Sequence, residues 1–466
     1  MKYTDVRGLE LTTTNAQAVE KFNASIASNA EYRLNAGDLM AEAIELDPNF
    51  TMAHCVMGYY LKSAEAFAPP EASMECLLAA EATDLSKVTE REQKSVKALR
   101  AWIENRQDDA IAIWDDILDD HPTDLLTLQL NHYRNFWHGK AIAIKDSVAR
   151  AFYAWDKSMP NYSNVLGMYS FGYNETGDKV RGLELGLEAV ELNPDDLWAV
   201  HAVSHVYHDS GEKTKGIALL TGDKPEWDDR NAIREHLRWH ESILHWDLGD
   251  YDKVLDLYDN HIAKAITPFY LDIQNTAAVL WRLECAGVDV GNRWQDLSDV
   301  VAQRVVTRNL PFTDVHLAMV LGRTGEQERL SNLLSSIKSD SGKARNAHEM
   351  SSAETDLAVC EAVDAYCQGD YATTINKLLP NRWNAYRSIG ASDAQRDVIN
   401  VMLGQAALKG EDNALARSVF AQRVQAKPTS QLSWLWYANA LEQCGDNSAA
   451  QEARAQMLKL EGKLAA

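Results

Sequence analysis

The sequence predicts an all-α protein, a right-handed solenoid of antiparallel helical hairpins, and three observations carry that prediction. A tyrosine, a Gly-Asp turn and an Ala…Pro ending recur at hairpin spacing. Tyr173, Gly177, Asp178, Ala189 and Pro194 fall within 163–196, and Ser204, Tyr207, Gly211 and Gly216 repeat the pattern in the segment opening at Leu197. Pro48, Pro122, Pro160 and Pro194 are separated by 74, 38 and 34 residues, two repeats and then one each on a period of about 34–38 residues. Helix-favouring Ala, Leu, Glu, Lys and Arg dominate, while the alternating apolar runs of strands are scarce.

The elements follow in order. Ala-Ile-Glu-Leu-Asp-Pro at 43–48 closes an early helix with the ending that Ala-Val-Glu-Leu-Asn-Pro repeats at 189–194. Proline lacks the amide donor and biases its predecessor away from the helical region. Pro69-Pro70-Glu71 marks a break followed by a first-turn acid. Thr89-Glu-Arg-Glu92 is a capping box opening a helix toward Trp102, and Ser392-Asp-Ala-Gln395 is another, opening a helix through Val401 to Leu408. Gly182 and Gly186 lie inside a helix, where glycine permits close packing. Further Gly-Asp turns stand at Gly249–Asp250, Gly369–Asp370 and Gly445–Asp446, so repeats cover most of the chain. The stretch 335–352, with Ser-Asp-Ser-Gly at its centre, reads as a mobile connection between repeats. Residues 455–466 read as a polar cap or a contact with a second subunit. A solenoid grows by adding repeats, so one continuous helical-repeat domain over 1–466 is expected.

Small residues three positions before a tyrosine, the Gly-Asp turns and the shared helix ending resemble tetratricopeptide repeats. More specifically, His201-Ala-Val-Ser-His205, Leu237-Arg-Trp239-His240, the run from Gly249 to Asp259, Gly291-Asn-Arg-Trp-Gln-Asp296 and Ala394-Gln-Arg-Asp397 look like the tetratricopeptide repeat protein 38 family. The resemblance spans most of the chain, with the family-like, histidine-bearing repeats at about 160–410. It implies a fold and carries no reaction with it.

Composition narrows the partners. The net charge is −22, from 46 Lys plus Arg against 68 Asp plus Glu, an excess that repels phosphate backbones and argues against nucleic acid. Dispersed acids such as those of 90–92 and 115–120 read as a solvated face. The six cysteines form no Cys-x-x-Cys pair, and Cys360 and Cys367, two turns apart on one helix, are too far apart to bridge. Reduced core thiols are expected. The amino terminus lacks the apolar core of a signal peptide, and no apolar run reaches about 18 residues, so a cytoplasmic protein away from membranes is expected.

Histidines carry whatever chemistry there is. His201, His205 and His208 are spaced i, i+4 and i+7, on one face of one helix. The family resemblance implies that this face lines a concave groove. His236 and His240 repeat the i, i+4 spacing around Trp239, and Asp314 and His316 sit on a third helix, with His316 at the repeat position of His240. Imidazole can ligate a metal, act as a general base or clamp an anion. His201, His205, His240 and His316 are therefore candidate ligands for a divalent transition metal, the one cofactor suggested, and His205 and His240 are candidate catalytic groups. Structural histidines in a helical core are the competing reading. Trp198, Trp239 and Trp246 are placed to wall a pocket, whereas Trp434, Trp436, Tyr437, Phe136 and Trp137 read as core. Arg396 and Asp397 read either as a buried ion pair locking two repeats or, through the planar arginine fork, as a site for a substrate carboxylate.

Two motifs fail. His240-Glu-Ser-Ile-Leu-His245 has one residue too many for a zincin helix, which rotates the second imidazole away, and no glycine-rich loop opens a helix after a strand. The expected function is binding of a peptide, protein or small-molecule ligand on the concave face. The alternative is an enzyme whose histidine and carboxylate site, with or without a metal, is enclosed by the superhelix.

Overall fold

The computed structural model describes residues 2–64, 70–221, 227–303 and 310–464. Among them the chain forms twenty-four α-helices, one π-helical turn at Tyr258–Ile262 and a single two-stranded antiparallel ribbon, Lys2–Thr4 with Glu10–Thr12. It is the all-α array of antiparallel hairpins that the repeat spacing predicts.

The hairpins form at turns with a left-handed residue, and several of these turns add an aspartate cap. At the turn after the helix Tyr162–Glu175, Gly177 has φ +91°, and the Asp178 carboxylate then accepts from Arg181 N at 3.0 Å to start the helix Lys179–Leu192. Asp250, Asp370, Asp412 and Asp446 repeat the cap at four further turns. Asn105 and Glu411 take the left-handed position where glycine is absent. Both capping boxes read from the sequence are present, Thr89 with Glu92 and Ser392 with Gln395.

The chain divides into two compact units. One comprises residues 1–136, 140–206 and 223–234, the other 137–139, 207–222 and 235–466. In the first, the amino-terminal ribbon is pinned to the helix Glu90–Ile103: Glu92 accepts from Thr12 N at 2.9 Å, and Arg91 donates to Glu10 O at 3.0 Å while pairing with Asp124 at 2.7 Å. Tyr59, Trp102 and Trp114 form an aromatic core around a hydrogen bond from Trp114 Nε1 to Tyr59 Oη at 3.2 Å. The helix Lys179–Leu192 lies close to its neighbours because Gly186 has no side chain. A Cβ there would sit 2.6 Å from Val203 Cγ2 and 2.7 Å from Ser170 Oγ.

In the second unit the turn before the helix Asp393–Lys409 depends on Gly390. Its φ is +78°, and a Cβ would fall 2.3 Å from the Trp137 carbonyl oxygen, a backbone atom that cannot yield. Gly390→Ala is therefore expected to cost about 2 kcal/mol or more. Gly325→Ala meets only open space at φ +74° and should cost about 1 kcal/mol. Equal melting temperatures for the two variants would show that the close approach is not what holds this turn.

One local expectation changes. Most of 335–352 is helical: Gln327–Ser341 and Ala347–Cys367 leave only 342–346 between them, because Asn346 caps the second helix by accepting from Glu349 N at 2.9 Å. Pro380 lies inside the helix Tyr371–Ser388, a position that proline's missing donor disfavours. Of the predicted break at 69–71, Pro69 lies outside the described residues, and a helix begins at Pro70. All six cysteines are free thiols. Among the described residues no helix is long and apolar enough to cross a membrane.

Candidate functional site

In the first unit, His201 and His205 stand one turn apart on the helix Leu197–Asp209, whose start is fixed by Asp196 accepting from Trp198 N and Ala199 N at 3.1 Å each. Burial pushes the Asp196 carboxyl up to about 7, against those two amide bonds. The i, i+4 spacing brings the two imidazoles together as read from the sequence, with His205 Nε2 3.0 Å from His201 Nε2 and both residues buried. At that separation the two nitrogens share a proton or aim two lone pairs at a cation. Phe171 covers both rings, at centroid distances of 5.5 Å from His201 and 5.1 Å from His205, and Trp198 lies 4.6 Å from His201.

The other face of His205 meets a carboxylate. Its Nδ1 lies 4.0 Å from Glu175 Oε1, and both side chains are almost wholly buried. At 4.0 Å the carboxylate lies beyond hydrogen-bond distance and faces Nδ1 as a buried charge. Glu175 was not singled out from the sequence. It is the only ionisable acid in the helix Tyr162–Glu175, and a lone carboxylate ending an otherwise uncharged helix is the signal that finds it.

In the second unit, the helix Ile233–Asp247 carries His236 and His240, again buried. Their rings lie 4.8 Å apart, and His236 stacks on Trp239 at 5.1 Å with the ring planes 7° apart. His236 Nδ1 is 2.8 Å from Asn275 Oδ1, so it donates, and Nε2 bears the lone pair. Burial pulls the His236 imidazolium down to about 4, which keeps the ring neutral at physiological pH. In each pair the ligand atoms offered by the two histidines lie within 4.8 Å of each other.

The remaining candidates take other roles. His316 is buried, with Nδ1 2.7 Å from Phe312 O on its own helix, and burial lowers it to about 4. Asp314 is buried on the same helix, Pro311–Thr324. His208 turns to polar partners, Nδ1 to Asp209 Oδ1 at 3.1 Å and Nε2 to Lys427 Nζ at 3.4 Å.

Arg396 and Asp397 do not pair with each other. Arg396 donates to the Gly390 and Ala391 carbonyls and to Asp393 Oδ1 at 2.6 Å, with its guanidinium 5.0 Å above the Tyr386 ring. Asp397 is bound by Arg423 and by Lys427 Nζ at 3.2 Å. Burial alone would raise the Asp397 carboxyl, and the Arg423, Lys427 and Arg282 cations instead hold it far below the usual carboxylate range. These bases belong to a buried charged array that sequence reasoning did not find. Arg282, 5.5 Å above the Trp239 ring, donates to Ala278 O at 3.2 Å and Ala394 O at 2.9 Å. Lys213 Nζ donates to Thr429 O at 2.6 Å, and Ser430 Oγ to Asp247 Oδ1 at 2.8 Å. Trp246 and Trp436 flank the Arg423 guanidinium at 6.0 and 5.6 Å, so Trp246 serves this array.

No protein-family model matches the chain. Among solved structures it is similar to the human IFIT1 dimer with m7Gppp-AAAA, with 13% identity over 94% of this chain and 95% of that one and a TM-score of 0.39. It is also similar to the tetratricopeptide repeat domain of P58(IPK), with 12% identity over 96% and 89% of the two chains and a TM-score of 0.21. Chains this divergent share helical architecture at most.

Proposed function

We propose that this protein binds a divalent transition-metal ion through the His201 and His205 imidazoles, within a helical-repeat scaffold of the tetratricopeptide type. The observation that carries the reading is the 3.0 Å separation of His201 Nε2 and His205 Nε2, with a buried carboxylate behind His205. Imidazoles paired one helical turn apart with converging Nε2 atoms offer two nitrogen ligands to a borderline-soft ion such as zinc. The ion is the fixed element of a ligand site on the histidine-bearing face. Membership of the tetratricopeptide repeat protein 38 family, a cytoplasmic location and one continuous repeat domain belong to the same proposal.

Elemental analysis of protein purified without an affinity tag tests it. A divalent ion should survive dialysis, and Co(II) reconstitution of stripped protein should give the visible bands of an imidazole-ligated ion. His201→Gln with His205→Gln should abolish both signals while the helical circular dichroism stays the same. Stripped protein that takes up neither Zn(II) nor Co(II), or a variant that binds as the parent does, would overturn the proposal.

A further inference from the structure

The buried charged array of the second unit does not balance its charge. Arg423 and Lys427 share one carboxylate, that of Asp397. The second acid, Asp247, is 3% exposed and accepts from Ser430 Oγ. Among the described residues the other two cations bind no carboxylate: Lys213 donates to the main-chain oxygens of Thr429 at 2.6 Å and Asp247 at 3.4 Å, and Arg282 to those of Ala278, Ala394 and Gln395. A carbonyl dipole solvates a cation and does not neutralise it. Four largely buried cations thus face two carboxylates. Adding Asp209, which stands on the far nitrogen of His208 from Lys427, still leaves positive charge in excess.

The excess sits on groups that keep their charge and have donors to spare. Burial pulls the Arg282 guanidinium down to about 10, which leaves it charged at neutral pH. Arg423 is 7% exposed, and its Nε and Nη2 find no acceptor among the described residues. Unmatched charge and unpaired donors are both costly where water is largely excluded, and an anion is the partner that answers both. Lys427 gives it a way in. Its side chain is 18% exposed, against 6% for Arg423, and its ammonium rides on a flexible stem.

We infer that this array binds a phosphate group, free or carried on a small ester, which contacts Lys427 at the open edge and is held by the Arg423, Lys213 and Arg282 charges behind it. Charge sets the class. The array's excess, one positive charge with Asp209 counted and two without it, matches the roughly 1.5–2 negative charges of a phosphate ester near neutral pH. A monocarboxylate or chloride brings one charge and fewer acceptors. The planar fork of Arg423 and the point charge of Lys427 are the two kinds of donor that phosphate recognition uses. Binding here involves no covalent step.

Calorimetric titration of the full chain, stripped of metal, with inorganic phosphate tests the inference, with phenyl phosphate as the ester and sodium chloride at matched ionic strength as the control. Phosphate should bind saturably at one equivalent and raise the melting temperature by a few degrees at saturation, and chloride should do neither. Tighter binding of phenyl phosphate assigns the group to an ester, and weaker binding assigns it to the free anion. Lys427→Met should weaken phosphate by at least ~tenfold, and Lys213→Met several-fold. Asp397→Asn, which removes a competing negative charge at nearly constant size, should bind phosphate more tightly than the parent, and circular dichroism should show all three variants folded. The His201→Gln/His205→Gln variant should bind phosphate as the parent does, which separates this site from the proposed metal site. Absence of binding at ~10 mM phosphate, equal stabilisation by chloride, an unchanged affinity in both lysine variants, or Asp397→Asn binding no more tightly than the parent would each overturn it.

Discussion

Asp397→Ala is expected to destabilise the protein by about 3–5 kcal/mol, the cost of removing one partner from a buried ion pair. Asp397 is 7% exposed and accepts from Arg423 and Lys427. Without it the Arg423 guanidinium keeps its charge between the Trp246 and Trp436 rings and loses the carboxylate that binds it. Uncompensated burial, more than the lost attraction, makes the effect large. Removing the stranded cation should therefore reverse much of the loss, so Asp397→Ala combined with Arg423→Met should be more stable than Asp397→Ala alone. Urea unfolding followed by circular dichroism measures both. A double variant as unstable as the sum of its parts would show that the pair contributes through packing and not through charge.

Acid should weaken the first unit through His132, and replacing that residue should reveal by how much. His132 is fully buried beside Phe171 and Trp198, with Nδ1 3.2 Å from Ile144 O, and burial pulls its imidazolium from 6.5 down to about 3. The folded state thus holds the ring neutral while the unfolded chain protonates it. That contribution to stability is full above pH 6.5 and is lost as the pH falls from 6.5 towards 3. Between pH 6.5 and 5, at about 1.36 kcal/mol per pH unit, the loss is about 2 kcal/mol. His132→Phe keeps an aromatic ring and cannot titrate. The parent should lose about 2 kcal/mol more than this variant between pH 7 and pH 5, as read from urea midpoints at the two pH values. Parallel pH profiles would show that His132 is protonated in the fold. Asp196, whose folded value is raised to about 7, acts in the opposite sense, and the comparison between parent and variant cancels it.

The helices, their turns and two of their caps were legible in the sequence because each is decided within a few residues. Gly177 and Asp178 make a turn by their own backbone and side-chain preferences, Thr89 and Glu92 close a box over three residues, and the i, i+4 spacing of His201 and His205 suffices to bring their rings together. The stretch 335–352 misled for a similar local reason. Its Ser and Gly content signals a loop, but five residues between two capped helices satisfy that signal.

Tertiary structure alone decided what stands behind each of those local features. Glu175 reaches His205 from the preceding hairpin, Asn275 reaches His236 across 39 residues, and Arg423 and Lys427 take Asp397 from the helix-and-turn that follows it, where the sequence suggested Arg396. Helical period fixes which side chains share a face of one helix, and it carries no information about which face of another helix lies opposite. The protonation state of a histidine and the partner of a buried carboxylate both depend on that opposite face. Burial is what gives each its consequence, since only where water is excluded does the presence or absence of one partner move a proton or leave a charge uncompensated.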